Sequence, residues 1–174
     1  QILIIPEITC RNTGDAPTKF SGVSLIRFAG QMKKGKGLTI VSALIEGNPV
    51  HTAPRDRRLA QEDIENFMKN EGIFGFSRCS VARNLNDGFD SAVQLAGVGN
   101  LRPNTVLLEW RDEADITCYE DATNFLDRFR VVAATEKAVI VVKGANYLPT
   151  NQARLRGHID IWWIVNIHDG GLLV

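Results

Sequence analysis

The 174-residue chain carries 44% hydrophobic side chains, enough to bury the core of one domain of ordinary size. Its 20 basic and 20 acidic residues cancel, which excludes a global field that would draw it onto nucleic acid or an anionic membrane. No apolar run approaches the roughly 20 residues that cross a bilayer, no basic leader opens the chain, and Cys10, Cys79 and Cys118 form neither a CxxC nor a metal-type cluster, so a reducing, cytosolic setting is expected.

The first predicted element is an apolar strand at residues 2–5, followed by Pro6-Glu7-Ile8-Thr9. Ser21 is a candidate cap for a helix whose Val23, Ile26, Phe28 and Ala29 recur at helical spacing until Gly35 stops it. Lys33-Lys34-Gly35-Lys36-Gly37 then gathers three ammonium groups among two glycines. Lysines in a last helical turn followed by glycine are explained by the helix dipole and the C-cap, while the functional reading makes Lys34 and Lys36 contacts that hold a phosphate by charge. A strand follows at 38–45, with Glu46-Gly47-Asn48-Pro49 as a turn and Arg55, Arg57 and Arg58 in a basic loop.

A helix is predicted over 60–71, with Ile64, Phe67 and Met68 on one face and Gly72 at its end, and a strand over 76–82. Asp87 or Asp90 can open the next helix, whose apolar residues are Val93, Leu95 and Ala96 and which closes near Gly97 to Gly99. A strand at 106–108 leads into Glu109-Trp110-Arg111-Asp112. The last helix, from about Tyr119 to Thr135, places Ala122, Phe125, Leu126 and Phe129 on one stripe and Asp121, Asp127, Arg128 and Arg130 outside it. Strands at 138–142 and 159–165 complete the series; in the latter, Trp162 and Trp163 point to opposite faces.

Most of these strands are continuous apolar runs rather than alternating ones, as expected when helices cover both faces of a parallel sheet. Strands alternating with helices predict right-handed crossovers and a three-layer, doubly wound α/β fold. Ligands in such folds settle beyond the carboxyl ends of the strands, where the strand order reverses. No GxGxxG or Walker pattern stands at any of those ends, so backbone cradling of a phosphate has no sequence support.

The three histidines, His51, His158 and His168, accompany no GxSxG elbow and no HExxH helix. His168-Asp169 at a strand end is the best catalytic-looking pair, the basis for reading a small α/β enzyme. The alternative is that His, Asp and two glycines make a turn into the next element. Cys118 sits near a helix start, with no partner legible beside it.

Three stretches carry a resemblance: "KKGKGLTIVSALIEG", "GFSRCSVARNLNDGFDSAVQLAGVGNLRPNTVLLEW" and "IDIWWIVNIHDGG". In this order and approximate spacing they resemble the cytosolic carboxyl-terminal domain of the cation-chloride cotransporter family. The first thirty residues match weakly, and Asn166-Ile167 stands between Ile164-Val165 and His168-Asp169, where the family usually runs directly on.

The resemblance implies a doubly wound α/β subdomain similar to universal stress proteins over residues 1–167, with residues 168–174 as the start of a second subdomain. It implies no catalysis, and no catalytic or metal-binding residue is expected. Transport of chloride with sodium, potassium or both would belong to an amino-terminal helical membrane domain outside this sequence. The implied roles are regulation, trafficking and homodimerisation on the cytoplasmic face of a membrane, in contact with the protein's own transmembrane domain and with no nucleic acid. The termini, Gln1 and an apolar Val174, accord with a segment of a longer chain. Some family members hold a nucleotide in this subdomain, which keeps ATP as an alternative, although Glu109 and Asp112 stand where the stress-protein phosphate signature would be glycine-rich.

Overall fold

The computed structural model describes residues 1–9, 19–33, 37–97, 99–111, 118–148, 150, 158, 160, 165–166 and 171–172. The interior strand β4 (Thr39–Glu46) is buried along its whole length except at Glu46. That burial follows from the run Thr-Ile-Val-Ser-Ala-Leu-Ile, which offers an apolar or small side chain to both faces. The strand β1 (Ile2–Ile4) pairs in parallel with β4 on one side and with β6 (Thr105–Glu109) on the other. Beyond β4 lies β5 (Gly75–Ala82), and beyond β6 lies β7 (Ala138–Val142), both parallel to their neighbours.

The parallel strands therefore run β5-β4-β1-β6-β7 across the sheet. Helices α1 (Val23–Lys33) and α2 (Pro54–Asn70) bury Ile26, Ala29, Ile64 and Met68 against one face. Helices α3 (Leu85–Leu95) and α4 (Tyr119–Ala134) bury Phe89, Val93 and Val132 against the other. Strand order thus reverses between β1 and β6, and with it the face that the crossovers cover. This is the doubly wound α/β fold that the alternation of elements predicts.

One departure shapes that reversal point. The apolar run 2–5 does not continue as a single strand, because Pro6 has no N–H to give to a ladder. Past Pro6 a short β2 (Glu7–Thr9) keeps its pairing with β4, Glu7 opposite Leu44, but leaves β6 and takes an antiparallel partner, β3 (Lys19–Phe20). The carboxyl end of β6 is therefore open on the β1 side.

Helix starts differ from expectation at three places. The Ser21 hydroxyl accepts a hydrogen bond from the Glu7 N–H at 2.8 Å, tying β2 to the head of α1 instead of capping it. Helix α2 begins at Pro54, so Arg55, Arg57 and Arg58 lie on its first two turns and not in a loop. Proline at the first helical position is pre-organised for a helix, and those turns are exposed through Leu59, so the apolar stripe that reveals a helix begins only at the buried Ala60. Helix α3 is capped by Asn84, whose Oδ1 accepts from the Asn86 N–H at 2.7 Å; Asp87 falls in the first turn and Asp90 in the helix body.

At the far end of the chain, β8 (Val165–Asn166) pairs antiparallel with β9 (Gly171–Leu172) in a sheet of their own. The described end of the predicted strand 159–165 thus pairs away from the main sheet, and the boundary expected at 167/168 falls between β8 and β9. Trp162, Trp163, His168 and Asp169 lie outside the described residues.

Candidate functional site

The reversal between β1 and β6 opens a crevice of about 440 Å³ at the carboxyl ends of the strands. Ile5 to Glu7 form one wall, Glu109 to Arg111 the other, and α4 closes the back through Phe125 and Arg128. A second lip comes from Gly144 and Asn146 after β7; the Ser24 hydroxyl donates to the Asn146 Oδ1 at 2.9 Å, pinning that lip to α1. Gly144 sits at φ +68°, a left-handed conformation that glycine adopts without penalty, and so turns the chain back over the crevice.

The dominant charges in the crevice pair with each other. Arg128 Nη2 donates to Glu7 Oε1 at 2.5 Å, and the guanidinium carbon lies 5.2 Å from the centroid of the Phe89 ring. Both side chains are mostly withdrawn from water, at 17% and 27% exposure. The pair gains from partial desolvation and from the aromatic face. The Nε of Arg128 is buried without a hydrogen-bond partner among the described residues, so Glu7 takes up only part of the guanidinium's donors.

Aromatic rings surround the pair. Trp110 meets Phe125 edge-on at 5.7 Å, and Phe125 meets Phe129 likewise at 5.0 Å. Behind Arg128, burial pushes the Asp90 carboxyl up from its ordinary range; the negative charges of Asp87 and Asp127 push it the same way, and only Arg128 opposes them. The site therefore offers one tightly held cation, nearby carboxylates and an aromatic wall. Among the described residues it presents no nucleophile hydrogen-bonded to a base.

Arg128 and Leu126 exchange the roles expected for them. Spacing of three to four residues puts 125, 128, 129 and 132 on one helix face, so Arg128 shares the inward face with Phe125 and Val132, while Leu126 is 53% exposed. A charged side chain on that face reads as outward by residue type alone. What could have flagged it is Glu7, a carboxylate immediately after an apolar strand and a proline, at the end where α/β sheets collect functional groups.

The other candidates among the described residues do not converge on the crevice. Lys34 and Lys36 lie outside the described residues, but their neighbour Lys33 donates to the Leu38 carbonyl at 3.2 Å, just ahead of β4. Gly37, the next described residue, holds φ +78° just ahead of the amino end of β4. Eight residues of β4, at roughly 3.3 Å each, separate it from the carboxyl ends. His51 and His158 are exposed, and Cys118 is exposed at the N-cap of α4. Among the described residues no group of three His, Cys, Asp or Glu side chains is arranged to hold a metal ion, and no helix is long and apolar enough to cross a membrane.

A larger concavity, about 680 Å³, lies away from the reversal point, along β5 and α3. In comparison with known families, the sequence model of solute carrier family 12 matches residues 23–153, from the first residue of α1 to beyond the turn that follows β7.

Proposed function

Because the chain belongs to solute carrier family 12, the cation-chloride cotransporters, we propose that it is the regulatory and dimerisation domain that such a transporter carries on the cytosolic side of the membrane. In this reading, chloride moves with sodium, potassium or both through a separate helical part, and the unit described here catalyses nothing. The observation that supports it most is that the family match falls on the α/β unit itself. Its helices α1 to α4 each bury apolar residues against the sheet, and an internal ion pair bridges the walls of its crevice.

Light scattering of the purified chain over a dilution series tests the pairing role. The expected mass is twice the 19.2 kDa of one chain, and a strictly monomeric result at all concentrations removes dimerisation from the reading. Chloride-dependent rubidium uptake by a transporter carrying this unit tests regulation; uptake should change when the Arg128–Glu7 pair is broken. Hydrolase turnover that disappears in His168→Ala would replace the reading with an enzyme.

A second reading, nucleotide binding, draws support from the crevice lying at the strand-order reversal, with Arg111, Arg128 and Trp110 in its walls. Against it, Glu7 already holds Arg128, and Glu109 places a further carboxylate there. Titration with labelled ATP decides, using Lys34→Ala, Lys36→Ala and Arg111→Ala. Saturable micromolar binding lost only in Arg111→Ala puts the nucleotide in the crevice, and loss in the lysine variants puts it at the glycine-lysine segment.

A further inference from the structure

We propose that the outer edge of β5 is a docking site for an acidic, extended segment of a partner protein, which adds to the sheet as one more strand. Strand β5 pairs with β4 over eight residues, and no strand pairs with its other side among the described residues. An open edge of this length is a template for another chain.

The surroundings of that edge select the partner. On the α3 side the 680 Å³ groove is walled by Phe76 and by Leu95, which are 50% and 70% exposed, over a floor of Leu44 and Ala92. On the α2 side a second hollow, about 630 Å³, is bordered by Arg57 and Arg58. Arg78 lines both hollows and Arg83 the first. All four arginines are exposed, and none pairs with a carboxylate within 4 Å among the described residues. The one carboxylate lining either hollow is Asp87.

Side chains of an added strand alternate between the two faces. A partner alternating aliphatic and acidic residues would set its aliphatic side chains against Phe76 and Leu95 and its carboxylates against Arg57 and Arg58. A second copy of this chain fits poorly. The only charge on β5 is Arg78, followed by Arg83, so two β5 edges would bring like charges together, which destabilises a strand pair.

The probe is a fluorescein-labelled octapeptide of alternating valine and glutamate, titrated into the full 174-residue chain and followed by anisotropy. Saturable binding is expected, weakening with added salt. It should fall by about tenfold or more in Arg57→Glu/Arg58→Glu, which sits on an exposed helix and leaves β5 intact, and in Arg78→Glu/Arg83→Glu, each variant being checked by circular dichroism. A peptide with proline at its centre should not bind, since it cannot complete the ladder. Equal binding by a valine-lysine peptide overturns the proposal, as does binding that neither charge reversal alters, in which case the arginines only guard the edge. A dimer dissolved by Phe76→Ser would also overturn it, because a second copy would then hold the edge.

Discussion

Arg128 on α4 reaches across 121 positions of sequence to Glu7 at the start of β2, and their 2.5 Å contact closes the crevice where the strand order reverses. The two residues hold opposite walls, so the pair fixes α4 against the kinked end of the first strand. Arg128→Ala removes the ion pair, the stacking on Phe89 and a packed aliphatic stem at once, and it leaves the Glu7 carboxylate in a partly desolvated place. A loss of about 1–3 kcal/mol is expected in urea unfolding. Glu7→Gln keeps a hydrogen-bond acceptor for Arg128 and should cost less than Arg128→Ala. Equal losses in the two variants would mean that charge alone matters there.

The pH dependence of stability should carry the mark of Asp90. Its carboxyl is raised above the ordinary value of 3.8, chiefly by burial and then by Asp87 and Asp127. A folded carboxyl with a raised pKa binds its proton more tightly than the unfolded chain does, so this group's contribution to stability falls as pH rises from 3.8 through the folded value. Above that window the charged Asp90 is a standing cost. Asp90→Asn should therefore raise the midpoint of urea unfolding at pH 7 and flatten its change across the acid range. Arg128→Ala removes the one group that opposes the shift, and carboxyl-carbon NMR should then show Asp90 titrating at still higher pH. A lower value in that variant would refute the assignment.

Where burial governs residue choice, the sequence reads well. Strand β4, expected over 38–45, runs Thr39–Glu46, and α4 runs from the expected Tyr119 to Ala134. Legibility fails where an element's boundary is set by something other than an apolar stripe. Helix α2 starts on Pro54 and polar turns, and α3 starts on an asparagine side chain ahead of the aspartates that resemble caps. The crevice was foreseeable in place, because reversal points follow from the order of elements, but not in content. Nothing local joins Glu7 to Arg128; their meeting depends on β2 keeping to β4 while it parts from β6, a tertiary arrangement that no local pattern announces.

Helix α3 supplies a sharp test of its cap. Asn84→Ala removes the acceptor for the Asn86 N–H and should cost about 1 kcal/mol. Asp87→Ala takes away a first-turn charge near the helix dipole, worth about 0.3–1 kcal/mol, and offsets part of that loss by relieving the repulsion on Asp90. Thermal melts of the two variants should rank in that order, and the reverse ranking would return the cap to the aspartate.

Two glycines three residues apart should respond to alanine for different reasons. At Gly75 a Cβ would lie 1.9 Å from the Thr39 carbonyl oxygen, where β5 enters its pairing with β4, so a methyl group fits only if the two backbones part. At Gly72 nothing lies within 4 Å of the same atom, but φ is +66°, where an L side chain strains its own backbone. Gly72→Ala should thus lose about 1–2 kcal/mol with the sheet undisturbed. Gly75→Ala should lose about 3 kcal/mol or more, and hydrogen exchange should quicken along Thr39 to Val41, the β4 residues paired with the start of β5. Faster exchange at β4 in Gly72→Ala as well would mean that the turn, and not the close backbone approach at Gly75, holds β5 in register.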